Sequence, residues 1–183
     1  MNIRECRTIK EYAQVISQHL HDREIDNVLV GGACVSIYSN ERYRSNDLDI
    51  MNIDEVPLSR IKDALQELGF EEKGRVFIHR DIEMSIDIVG PPLTIGEEHV
   101  KSVNEIIEDD KLLKLLSPTD SVKDRLAAYY YWNDQQALEQ ALMVCNENHI
   151  DIDNVREWSK KEGMIEEFTK FETEFDLLKK NIK

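Results

Sequence analysis

Three aspartates in apolar surroundings and a pair of glycines are the parts of this chain best suited to chemistry. Asp47 and Asp49 bracket Leu48 in DLDIMNI, and Asp87 lies between Ile86 and Ile88 in IEMSIDIV. Residues two apart in a strand point to one face, so Asp47 and Asp49 converge while Leu48 and Ile50 face the core. An aspartate inside an apolar strand is costly unless something compensates it. Upstream, Val28-Leu29-Val30 ends in Gly31-Gly32, where the chain can turn without a Cβ clash and approach a ligand closely. Paired carboxylates beside such a turn suit Mg²⁺ together with a polyphosphate, which points to phosphoryl or nucleotidyl chemistry. Each part has a plainer reading. Asp87 alone reads as a loop cap or an arginine partner, and Asp47/Asp49 as a pair on an edge strand. Their coincidence in the first half of the chain favours one joint site.

The elements that must position these residues follow from apolar spacing. Ile9, Tyr12, Ala13, Val15, Ile16 and Leu20 recur at helical intervals, so a helix is expected over 8–22. Residues 28–30 read as a short buried strand, and 33–39 as a short helix whose start points at the same site. Residues 47–53 alternate as a strand does. After Pro57, LSRIKDALQELGF reads as an amphipathic helix closed by Gly69. Residues 75–78 and 82–89 read as a hairpin, and Gly90-Pro91-Pro92 is expected to end the sheet region. From Ser117-Pro118-Thr119-Asp120, a helix-start signal, four helices separated by Asn, Asp or Gly are expected. The organisation is α+β in front and all-helical behind, divided into 1–116 and 117–183.

Composition excludes several classes. With 183 residues, 41% hydrophobic and 33% charged, the chain can bury one substantial core. No apolar run approaches the about 18 residues of a membrane helix, and the start lacks the apolar block of a signal peptide. Cys6, Cys34 and Cys145 form no CxxC pair and read as reduced thiols of a cytoplasmic protein. The net charge of −14 argues against extended nucleic-acid binding, although Arg42, Arg44, Lys73, Arg75 and Arg80 provide local basic spots. Five scattered histidines lack zinc-ligand spacing. Tyr129-Tyr130-Tyr131-Trp132 reads as packing between helices before it reads as a base-stacking platform. Cys34 reads as a small buried residue.

The string GGACVSIYSNERYRSNDLDIM resembles the signature of the nucleotidyltransferase superfamily: a glycine-rich turn, then Asp-hydrophobic-Asp, with Asp87 as the third carboxylate on a later strand. Within that superfamily it is similar to the minimal and AbiEii-like nucleotidyltransferases, many of which serve bacterial toxin–antitoxin or phage-defence systems. The likeness covers about 27–134, including SPTDSVKDRLAAYYYWND, where relatives often carry a lysine near the triphosphate. The resemblance implies a small mixed sheet flanked by helices and followed by a helical region. It implies that Asp47, Asp49 and Asp87 are catalytic and bind Mg²⁺, two ions during catalysis, and that Asp87 accepts the acceptor hydroxyl's proton. Gly31 and Gly32 would set backbone N–H groups against an NTP such as ATP. Arg42, Arg44, Ser45 and Lys123 would contact phosphate. For Arg42, Arg44 and Lys123, a solvent-facing role reads equally well. The chain departs from the pattern in three ways. Gly31-Gly32 replaces the usual Gly-Ser, fourteen residues separate Gly32 from Asp47, and the arginines lie five and three positions before Asp47.

The implied activity is transfer of NMP from an NTP to a hydroxyl on a small molecule, a protein or an RNA end, with a toxin or antitoxin as possible protein partner and no membrane. The alternative is a catalytically inactive, nucleotidyltransferase-like regulatory or antitoxin-type module.

Overall fold

The computed structural model describes residues 3–181. Among these, after a 3-10 turn at Ile3–Glu5, the order is α1 (Ile9–His21), β1 (Asn27–Val30), α2 (Gly31–Tyr38), β2 (Asp47–Asn52) and α3 (Leu58–Glu67). Next come β3 (Phe70–Lys73), β4 (Val76–His79), β5 (Ile82–Val89), β6 (Thr94–Ile95), β7 (Glu98–His99), β8 (Asn104–Glu108) and β9 (Lys111–Leu115). Four helices close the chain: α4 (Pro118–Trp132), α5 (Gln135–Glu147), α6 (Ile152–Lys161) and α7 (Ile165–Asn181). The fold is α+β.

Seven strands form one mixed sheet in the order β3-β4-β5-β2-β1-β9-β8, and β6–β7 is a separate two-stranded ribbon. The centre holds the site. β2 runs antiparallel to β1, with Val30 opposite Asp49, and parallel to β5, with Asp47 beside Ser85 and Asp49 beside Asp87. β1 is buried along its whole length, as a strand with neighbours on both sides and helices above it must be.

α1 starts at a capping box. Thr8 Oγ1 accepts from Glu11 N at 3.2 Å, and Glu11 Oε2 accepts from Thr8 N at 3.0 Å. It buries Ile9, Ala13, Ile16 and Leu20, a stripe at helical spacing. α4 starts at Ser117, whose Oγ accepts from Asp120 N at 3.1 Å, with Pro118 in the first turn. It ends at Asn133, in the left-handed region at φ 51°.

Three expectations need correction. The sheet does not end at Gly90-Pro91-Pro92, because β8 and β9 return to it and β9 pairs in parallel with β1 through Leu29 and Leu115. That pairing joins residues far apart in the chain, so no local pattern announces it. β3 was not expected, because FEEK buries only Phe70 and pairs on one side only, with β4. α2 begins at Gly31 itself, directly at the end of β1. Behind the sheet, Tyr130 stacks on the buried Trp158 with centroids 5.6 Å apart. One hydrophobic cluster runs from Ile3 through the sheet to Phe175.

Candidate active site

Gly31 is where β1 becomes α2, and its φ of +68° lies in the left-handed region, which strains any residue with a side chain. A Cβ there would also overlap the Asp49 carboxylate. The glycine turn and the second aspartate of DLD are therefore in contact. Val30, at the cap position of α2, supplies no side-chain hydrogen bond, so the first N–H groups of this helix have no side-chain cap. Such an end, with its positive dipole, suits an anion.

The strand register gathers the three aspartates on one face. Asp49 and Asp87 are direct neighbours across the parallel β2–β5 pair, and Asp47 lies one step away beside Ser85. Leu48, Ile50 and Ile86, on the other face, are buried, and this apolar face is what fixes the register. The Asp49 carboxyl is pushed up to about 6, first by burial and then by the neighbouring charges of Asp47 and Asp87. A cation would relieve both causes. The donor set, carboxylate oxygens only, suits Mg²⁺. Among the described residues no three His, Cys, Asp or Glu side chains are already arranged as a cage. What the structure sets is the backbone register that puts the three aspartates on one face.

The other expected residues are distributed as follows. Ser45 is buried, and its Oγ donates to Asp47 Oδ1 at 2.7 Å. Gly32 packs under Ser45 and Tyr43, where a Cβ would come within 3.0 Å of Ser45 Oγ. Arg42 reaches away to Glu147 on α5, at 3.0 Å, and Arg44 donates to the carbonyl of Arg7 at 3.3 Å. Lys123 is 3% exposed and does not face solvent. It pairs with Glu98 at 2.9 Å and Asp120 at 3.6 Å. It lines a polar cavity of about 310 Å³ under β6–β7 that includes none of the three aspartates.

The residue the sequence reading missed is Arg125, two positions further along α4. It donates to Asp124 Oδ2 through Nε at 3.0 Å and through Nη2 at 2.6 Å, and to Gln140 Oε1 at 3.3 Å. Its charge acts on Asp49, lowering that carboxyl against the stronger effects that raise it. Burial works against the guanidinium's charge, but Asp124 and Asp49 outweigh it and hold its pKa up. The available signal was its place in the helix, three residues after the buried Val122 and four before the buried Tyr129. Cys34 lies behind the same cluster, its thiol pushed up by burial and its Sγ donating to Leu29 O at 3.2 Å.

Among the described residues no helix is long and apolar enough to cross a membrane. No family model and no curated protein matches the chain. Solved structures do. An antigenic nucleotidyltransferase-like protein from Paracoccidioides brasiliensis aligns over 75% of both chains, at 13% identity and a TM-score of 0.57. ANT(2″)-Ia, in complex with adenylyl-2″-tobramycin, aligns over 91% of this chain and 98% of its own, at 14% identity and a TM-score of 0.52. At these identities the likeness concerns the fold, and the fold is that of the nucleotidyltransferase-like proteins.

Proposed function

We propose that the chain is a Mg²⁺-dependent nucleotidyltransferase that moves NMP from an NTP to a hydroxyl acceptor. The observation that carries this reading is the in-register pair Asp49/Asp87, with Asp47 beside it, against the glycine turn that opens α2. When bound, Mg²⁺ neutralises phosphate charge and clamps the attacking and leaving oxygens of an in-line displacement. Asp47 and Asp49 would hold Mg²⁺, and Asp87 would complete the site of a second ion. The α2 N-terminus at Gly31 and Gly32 would receive the triphosphate. Asp87 would accept the proton as the acceptor oxygen bonds to the α-phosphorus and pyrophosphate leaves. Arg125, behind Asp49, would limit the repulsion among the carboxylates.

For the acceptor we favour a small molecule. A fold neighbour is in complex with an adenylylated small molecule, and a net charge of −14 opposes a long polyanion. A protein hydroxyl or an RNA end is the remaining choice. Cytoplasmic placement follows from the cysteine reading, and a defence or toxin–antitoxin setting with a protein partner follows from the sequence resemblance. The competing reading, a nucleotide-binding regulator without turnover, draws on the lack of a ready-made three-carboxylate cage among the described residues.

Thermal shift with Mg²⁺ and each NTP, on wild type and on Asp47→Asn/Asp49→Asn, tests the binding step. Stabilisation of wild type alone is expected, and no stabilisation by any NTP would defeat the proposal. Transfer of α-labelled NMP into a lysate component then separates enzyme from regulator.

A further inference from the structure

We infer that Ser45 is a positioning residue that holds Asp47 for cation binding, and that position 32 is glycine to make room for Ser45. This rests on the carboxylate face being a cation site. Ser45 is 3% exposed although both chain neighbours, Arg44 and Asn46, are exposed. Its hydroxyl donates to Asp47 Oδ1 at 2.7 Å, a short charge-assisted bond. Its own N–H donates to Ser36 Oγ at 2.9 Å, and the fully buried Ser36 hydroxyl donates to Gly32 O at 3.2 Å. A chain of hydrogen bonds therefore runs from the first turn of α2 to the first carboxylate of β2. The bond tethers one oxygen of Asp47 and leaves the other oxygen, with its lone pairs, for a cation on the face that Asp47 shares with Asp49 and Asp87.

The two glycines differ in what requires them. Gly31 has the positive φ. Gly32 does not, so its backbone would accept a side chain, but a Cβ would sit 3.0 Å from Ser45 Oγ and 3.4 Å from the Tyr43 ring. Neither neighbour can yield easily: Ser45 is bonded at both its N–H and its hydroxyl, and Tyr43 packs against the core. A side chain at 32 would therefore displace the hydroxyl that orients Asp47.

The test is titration with Mn²⁺, followed by electron paramagnetic resonance, of wild type, Ser45→Ala, Ser45→Thr, Gly32→Ala and the Ser45→Ala/Gly32→Ala double variant. Metal-free melting of each variant reports folding. Ser45→Ala is expected to weaken Mn²⁺ binding by about 10- to 100-fold, the usual effect of removing a group that orients a metal ligand, and Ser45→Thr to restore it. Gly32→Ala should weaken binding in the same way, with the double variant no worse than the worse single variant, because both act through one hydroxyl. If Ser45→Ala does not fold, Ser45→Cys, similar in size and a weak donor, carries the same expectation. Wild-type affinity in the alanine or cysteine variant, or additive losses in the double variant, would overturn the inference and leave the site reading standing. No Mn²⁺ binding by wild type would overturn both.

Discussion

Two regions of this molecule take charge out of water and treat it in opposite ways. Under the β6–β7 ribbon, Lys123 is almost fully buried but meets Glu98 and Asp120, and Lys161 reaches Glu98 from α6. Two cations face two carboxylates. On the sheet face, Asp49 sits among Asp47, Asp87 and Asp124, and the cation acting on it is Arg125, which is itself bonded to Asp124. Four carboxylates share one guanidinium. Burying a charge without a partner costs several kcal/mol, so the first region is complete as folded and the second lacks positive charge. That contrast separates a balanced ion cluster from a face with surplus negative charge, the face on which the proposed cation would sit.

Asp49→Asn should have the largest effect. It should lower nucleotidyl transfer by on the order of 10³-fold or more while leaving the ligand-free protein at least as stable as wild type, measured by radiolabel transfer and urea unfolding. A variant that loses activity because it unfolds would break the comparison. Lys123→Met should move stability the other way, by about 3 kcal/mol, because it leaves Asp120 without its lysine and Glu98 with Lys161 alone, beside a buried apolar side chain. Urea unfolding checks it, and an unchanged midpoint would show the ribbon cluster to be dispensable.

The two regions should also respond oppositely to pH. Asp49 is raised from 3.8 to about 6, so between these values the folded state binds more protons than the unfolded state. The penalty is fully present above about pH 6 and is relieved as pH falls toward 4, by about 2 kcal/mol after allowing for solvent access. Glu98 is lowered, chiefly by its hydrogen bond from Lys123, so its contribution is present above the unfolded value and is lost as pH falls through that range. Stability–pH curves of Asp49→Asn and Glu98→Gln, each subtracted from wild type, should therefore slope in opposite directions. The smallest effect should come from Arg42→Ala, which removes an exposed pair with Glu147 and should change stability by less than about 1 kcal/mol. A loss of nucleotide affinity larger than this stability change would instead place Arg42 at the phosphates.

The sequence revealed the centre of the sheet and little of its margins. β1, the glycine turn, β2 and β5 were legible because buried strands show alternation or short apolar runs that end in punctuation. β3, β8 and β9 were not. Glu105 and Glu108 on β8 and Glu71 and Glu72 on β3 give these edge strands the look of loops, and the parallel pairing of β9 with β1 depends on contacts far apart in the chain. That the three aspartates share one face was legible because charge in an apolar strand stands out. Which cation of α4 acts on Asp49 was not, since both Lys123 and Arg125 lie on a helix packed on more than one side. Lys123 faces the ribbon and α6, and Arg125 faces α5 and the sheet. Only packing distinguishes them. Ser45 stood out in the sequence as a phosphate contact, whereas its hydrogen bond to Asp47 was visible only in the fold.

The most direct test is a crystal structure of the protein with Mn²⁺ and a non-transferable NTP analogue. The account predicts an anomalous peak bound by carboxylates of Asp47, Asp49 and Asp87, with the phosphates against the first turn of α2 at Gly31. Phosphates seated instead against Lys123 under the β6–β7 ribbon, with no metal on the sheet face, would contradict it.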